Sequence, residues 1–152
     1  MTEESERLLD DVGWRLLRLL QEDARLSFKE LGRRVGLAPS SVAERIRRME
    51  EAEILLGYHA EINLEKIGLP VMAFIRMNTA GQNSTRIALL LRYMPEILEC
   101  YRLTGSEAFI MKVCVSSVKH LEVLIDQLSQ YGQPTTSLVL SVPLTRRIVE
   151  KR

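Results

Sequence analysis

Cysteine and histidine are scarce in this 152-residue chain, with two of each: Cys100 and Cys114, His59 and His120. There is no CxxC, and no histidine pair lies near either thiol, so the spacing offers neither a zinc site nor a disulfide framework. Both cysteines sit in alternating apolar runs and are expected to be buried, reduced thiols of a cytoplasmic protein. The two histidines are far apart and no nucleophile–base pair emerges, so neither a metal, a cofactor nor an enzymatic role is expected. Long apolar runs are absent too. The longest nearly uncharged stretch, Ser129 to Thr145, is broken by glycine, two prolines and many hydroxyls, which is unlike a bilayer span of about 20 apolar residues. The first residues, MTEESERLLDD, are acidic where a secretory signal is basic and then apolar.

An excess of one charge is also missing. The net charge is +1, too small for coating nucleic acid or membrane by bulk attraction. Its distribution is uneven: Lys29 to Arg48 holds six basic residues and two acidic ones, within a Met1–Tyr58 segment whose net charge is −2. The basic residues are thus gathered in one place.

What is present is helical periodicity, then a change of period. Leu9, Val12, Leu16, Leu19 and Leu20 repeat at helical spacing and predict a first amphipathic helix over 9–20. Ser27 followed by Glu30 is a capping-box pattern opening a short second helix, about 28–35, which Gly36 ends. Pro39 suits the first position of a third helix, where its missing N–H costs nothing; Ala38 before it is a weak cap. On that third helix Val42, Ile46 and Met49 form a buried stripe, leaving Ser41, Glu44, Arg45 and Arg48 outward with Ser40 near the start. EILLGYHAEIN then reads as two short apolar runs around Gly57, a candidate wing hairpin. Three helices, a glycine turn and a hairpin make a winged helix-turn-helix. Outward serines and guanidiniums suit phosphates and guanine edges, and the basic pair Arg33 and Arg34 adds to them.

INLEKIGLP has the character of a boundary, so the expected organisation is a DNA-binding domain over 1–61, a linker over 62–70 and a second domain over 71–152. In that second part the period is two. Strands are expected at 71–78, 97–104, 108–115 and 136–142, with helices at 84–92 and 118–130. The order βαββαβ is ferredoxin-like, an antiparallel sheet with both helices on one face, and the fold class is α+β. Its other face would carry residues from sets such as Met72, Phe74, Ile97, Tyr101, Leu103, Ile110 and Cys114. Water is a poor solvent for that area, which predicts a two-fold homodimer closed face to face; cover by loops or the C-terminal tail is the alternative.

Here the chain resembles a known family. LDDVGWRLLRLLQEDARLSFKELGRRVGLAPSSVAERIRRMEEAEILLGYHAEIN is similar to the N-terminal half of the Lrp/AsnC (feast/famine) transcription regulators, and MPEILECYRLTGSEAFIMKV to a segment of their second half. The resemblance covers Leu9 to Val142. It implies a regulator of transcription that binds double-stranded DNA, with a ferredoxin-like RAM domain that senses an effector, usually an amino acid, and dimers that often assemble to octamers. By position it implies a recognition helix over 39–52, with Ser40, Ser41, Glu44, Arg45 and Arg48 as DNA contacts, Arg47 towards the flank, and Arg34 nearby. It implies an effector site at Thr104, Gly105, Ser106, Glu107 and Ala108, where a glycine lets backbone amides approach a carboxylate; Thr136 is a further candidate donor.

The pattern is not kept everywhere. Glu107-Ala108 stands where the family commonly has an aspartate after an aromatic, leaving three readings open: Glu107 replaces it, the ligand differs, or the protein is an effector-independent architectural DNA binder. Gly13 stands where the pattern has aspartate, and Glu53 where it has glycine. The arginine- and histidine-rich segment of fold-related haem-pathway decarboxylases is absent after the wing.

Overall fold

The computed structural model describes residues 3–78 and 84–151. Its elements are α1 (Glu3–Leu8), α2 (Asp11–Glu22), α3 (Phe28–Val35), α4 (Pro39–Glu51), β1 (Val71–Asn78), α5 (Ser84–Leu91), β2 (Ile97–Arg102), β3 (Phe109–Val115), α6 (Val118–Ser129) and β4 (Gln133–Leu138), with a 3-10 turn at Glu65–Ile67. The contacts divide the chain into two units. One holds the residues up to Glu61 together with those from Leu144 onward; the other runs from Ile62 to Pro143.

The first unit is a helical bundle whose core is Leu16 and Leu20 of α2, Leu31 and Val35 of α3, and Val42 and Ile46 of α4. Its helices start and stop where local chemistry dictates. The Ser27 hydroxyl accepts from the Glu30 amide at 3.2 Å, and Gly36 ends α3 in the left-handed region at φ 77°. Only half of the expected capping box forms as such, because the Glu30 carboxylate turns to Arg33 and Arg34 instead. The helix expected over 9–20 is α2, shifted to Asp11–Glu22, and a short helix that was not expected, α1, precedes it. Asp10 separates the two as the N-cap of α2, its Oδ1 accepting from the Gly13 amide at 2.8 Å, and the acidic residues before it form α1.

The expected wing hairpin does not form: residues 54–63 contain no strand. The amides of Ile54 and Leu55, which a ladder would need, are instead given to the Met49 carbonyl at 2.9 and 3.1 Å, closing the end of α4. That closure passes through Glu53 at φ 54°, a conformation glycine adopts without strain and glutamate does not. The tail also departs from the expected boundaries. The Gln21 amide group donates to the Val149 carbonyl at 3.0 Å and accepts from its N–H at 2.9 Å, Arg18 pairs with Glu150 at 3.4 Å, and Lys151 with Asp11 at 2.7 Å. These bonds fix residues 149–151 along α2. The 62–70 segment, expected as a separate linker, groups with the second unit.

The second unit is a four-stranded antiparallel sheet in the order β2-β3-β1-β4. Ala73, Ile75 and Met77 alternate on β1 with Phe109, Met111, Val113 and Val115 on β3, packed against Ile87 and Leu91 of α5 and Leu121, Leu124 and Leu128 of α6. Both helices therefore cover one face, as the period-two pattern predicts. A hydrogen-bonded chain from Ser116 Oγ to His120 Nδ1 (3.1 Å) and from His120 Nε2 to Glu96 (3.1 Å) ties the start of α6 to the turn before β2.

The open face carries Met72, Phe74, Arg76, Tyr101, Leu103 and Ile110, but not Ile97. An irregularity between Ile97 and Glu99 shifts the parity of β2, so Ile97 pairs with Val113 and joins the helix-side core. Cys114 also lies on this face but is buried, its thiol donating to the Leu69 carbonyl at 3.0 Å. Cys100, expected to be buried, is exposed, because β2 is an edge strand.

Candidate nucleic-acid interface and effector loop

The third helix of the helix-turn-helix, α4, is held by Val42, Ile46 and Met49, all buried. Ser40, Ser41, Glu44, Arg47 and Arg48 are exposed on its other sides. Ala38 supplies no side-chain cap and Pro39 no N–H, so the amides of Ser40 and Ser41 lack the acceptor that a capping side chain would give. The positive end of the helix dipole is thus presented beside two hydroxyls, an arrangement that suits an anion. A concavity of about 550 Å³ opens on this face, lined by α4 residues from Ser40 to Arg48 and walled on one side by Arg7 and Leu8 of α1.

The cations are held differently from one another. Arg47 lies between Glu44, at 2.7 Å, and Glu51; its hydrogen bond pulls the Glu44 carboxyl below the ordinary range. Arg34 is bonded to Glu30 at 2.7 Å, and its carbonyl accepts from Arg15 of α2. Arg48 lines the concavity. Arg45 does not present its head group as the helical spacing predicts. Its Nη2 donates to the carbonyls of Arg7 (3.2 Å) and Leu8 (3.4 Å) and to the Asp10 carboxylate, and its side chain is 22% exposed. Burial pushes the Asp10 carboxyl up, but the Gly13 amide and Arg45 outweigh it and hold the carboxyl below its usual value. Nothing in the α4 pattern signals this; the partner lies 35 residues earlier, at a helix junction the periodicity does not mark.

In the second unit, residues 104–108 connect β2 to β3. Gly105 turns with φ 108°, and the loop is pinned by Leu103 N–H to Ala108 O (2.8 Å) and Ala108 N–H to Met77 O (3.0 Å). Thr104, Gly105 and Ser106 are exposed. Glu107 faces Arg76 of β1 at 3.7 Å, and the Arg76 guanidinium reaches the Ser137 hydroxyl at 3.5 Å. Arg76 escapes sequence reasoning. Its only signal is a lone cation at an open-face position of a strand that is otherwise apolar up to its last residue, Asn78. Thr136 does not join this group. It pairs with Ile75 on the helix side, and its Oγ1 is buried there without a hydrogen-bond partner.

A helix-turn-helix whose third helix exposes hydroxyls, guanidiniums and an uncapped start, followed by a βαββαβ unit with its own charged loop, defines a DNA-binding regulator with a separate ligand-binding module. Comparison with known proteins carries this further. Residues 9–50 match the model of the AsnC-type helix-turn-helix domain, and residues 72–149 that of the Lrp/AsnC ligand binding domain. The HTH-type transcriptional regulator LrpC of Bacillus subtilis is 32% identical over 133 residues, 88% of this chain and 92% of that protein. Its structure superposes with a TM-score of 0.86, covering 91% of this chain and 99% of the other. The regulator NMB0573 of Neisseria meningitidis, in complex with L-Met, is 30% identical with a TM-score of 0.84, covering 93% and 96% of the two chains. The feast or famine regulatory protein of M. tuberculosis, complexed with L-methionine, is 29% identical with a TM-score of 0.84, covering 93% and 99%. The chain belongs to the Lrp/AsnC family of transcriptional regulators.

Proposed function

We propose that this regulator reads DNA as a homodimer through α4, and that an amino acid bound near residues 104–108 modulates it. The observation that carries the DNA reading is the exposed, uncapped start of α4. Ser40 and Ser41, with their amides, are suited to phosphate, and Arg48 to a base edge or a second phosphate. Glu44 and Arg47 screen each other on the flank. Two copies related by a two-fold axis would set two such helices into successive major grooves, about one helical turn apart. The open sheet face of the second unit, with Phe74, Tyr101 and Leu103 each more than a third exposed, supplies the apolar area for that pairing, and higher assemblies up to an octamer can build on it. Acting on chromosomal DNA places the protein in the cytoplasm.

The effector reading rests on the pair Glu107 and Arg76. At 3.7 Å the two charges are close but loosely joined, and a zwitterion can insert its ammonium towards the carboxylate and its carboxylate towards the guanidinium. The relatives solved with L-methionine bind a ligand of this chemistry. Selection of bound fragments from genomic DNA, with and without each of the twenty amino acids, tests both parts. Recovery of a shared pseudo-palindrome supports the DNA reading, and random recovery overturns it. Concentration-dependent thermal stabilisation by one or two amino acids supports the sensor; none at millimolar concentration favours an architectural DNA binder.

A further inference from the structure

We infer that Arg45 is a positioning residue of the recognition helix, which it clasps to the α1–α2 junction through Asp10 and the carbonyls of Arg7 and Leu8. This rests on the DNA reading proposed above.

Three features converge on one guanidinium. The carbonyls of Arg7 and Leu8 close the C-terminal end of α1, where unsatisfied acceptors and the negative end of the helix dipole favour a cation. Asp10 Oδ1 is the N-cap of α2, where a carboxylate is favoured, and it accepts from the Gly13 amide and from Arg45 together. One arginine head thus serves the end of one helix and the beginning of the next, from a third helix 35 residues later. All three contacts are made by the one nitrogen Nη2, and Nε is buried without a partner, so a lysine would have to bring its ammonium to the same point on a stem of different length and shape.

The junction is also sterically tuned to the clasp. α2 approaches α1 so closely at Gly13 that a Cβ there would collide with the Leu8 carbonyl oxygen and sit 3.1 Å from Met49 Cε of α4. Leu8 and Met49 are themselves buried. The clasp, the glycine and the methionine therefore connect α1, α2 and α4 at a single point, on the flank of the concavity that holds Ser40, Ser41 and Arg48. α1 lies outside the matched helix-turn-helix model, which begins at residue 9. Its contribution is to supply carbonyls that fix how far α4 projects. Arg45 then acts on DNA through the angle of α4, and discrimination falls to the side chains that remain exposed.

The test compares Arg45→Met, Arg45→Lys, Asp10→Asn and the double variant Asp10→Asn/Arg45→Met in the full chain. The probe is a duplex selected by the wild-type protein from a random-sequence pool, with a scrambled duplex as reference. Measurements are made well below each variant's melting temperature. Arg45→Met and Asp10→Asn are each expected to weaken specific binding about tenfold, the scale of a charge-assisted hydrogen bond, with Arg45→Lys in between. The double variant is expected to be no worse than either single one, because both remove the same coupling. The slope of log affinity against log salt should be unchanged, since no phosphate contact is lost. The loss should also spread over all positions of the half-site. A normal Asp10→Asn affinity, with an Arg45→Met loss confined to one base pair or accompanied by a reduced salt slope, would make Arg45 a direct contact and overturn the inference. Lower melting temperatures with unchanged affinity would reduce the clasp to a fold stabiliser, which also overturns it. If wild type selects no duplex at all, the DNA reading itself fails, and the positioning role with it.

Discussion

Gly13 is the residue at which local preference and tertiary packing disagree most sharply. Within a helix, glycine is about 1 kcal/mol less favourable than alanine, so Gly13→Ala would normally stabilise α2. Here the new Cβ meets the Leu8 carbonyl, whose carbon would lie 2.9 Å away. The substitution should therefore destabilise the first unit by roughly 1 to 3 kcal/mol, as overpacking does; an equal or higher denaturation midpoint would show that α1 simply moves aside. Glu30 makes a second residue-scale case. Its hydrogen bond from Arg33, and then that from Arg34, pulls the carboxyl down from 4.5 to about 2. Because the folded value is depressed, its contribution to stability is complete above about pH 4.5 and is lost as the pH falls towards 2. Glu30→Gln should flatten the stability–pH curve in that window, with the difference shrinking in high salt because the pair is exposed. A curve identical to wild type would mean that Glu30 is no better partnered in the folded chain than in the unfolded one.

At the scale of elements, the start of α4 sets stability against function. Ala38 leaves first-turn amides without a capping acceptor, so Ala38→Asp should raise stability by about 1 kcal/mol. The same carboxylate would stand where a phosphate is expected, so DNA affinity should drop and the salt slope become shallower. Higher stability with undiminished affinity would mean that the helix start is not a phosphate site. The elements themselves were legible wherever capping and period agree: Ser27, Gly36 and Pro39 bound α3 and α4 at the expected residues, and the alternation of β1 and β3 gives their pairing face. Three things were not legible. The short helix α1 is hidden because its six residues, EESERL, carry one apolar side chain, Leu8, and so show no helical repeat. The absent wing depends on Met49 capturing two amides, a choice between acceptors that composition does not record. The position of Arg45 depends on partners 35 to 38 residues away. The proposal of residues 104–108 as an effector loop rests on their motif, whereas Arg76 beside them needed the register of β1 against β3.

At the scale of the whole molecule, the open sheet face has to be reconciled with water. Its apolar positions, Phe74, Tyr101 and Leu103, are interleaved with the Glu99–Lys112 pair at 2.9 Å and with Arg76. It is thus a patterned surface, of the kind that can form a two-fold interface without indiscriminate aggregation. Phe74 is a suitable probe because it is 38% exposed in a single chain and lies directly across from Lys112. An aspartate there can pair with that lysine in a monomer, whereas in a face-to-face dimer its charge would be buried in the interface. Phe74→Asp should therefore convert a dimer into a folded monomer by sedimentation velocity and abolish the concentration dependence of the melting temperature. Affinity for a two-half-site duplex should fall roughly a hundredfold or more, because the second recognition helix is no longer delivered at high effective concentration. Binding to an isolated half-site should stay unchanged, which separates lost pairing from a damaged reading head. A variant that remains dimeric would move the interface elsewhere, with the exposed run from Leu56 to Ile62, which makes no strand of its own, as the next surface to substitute.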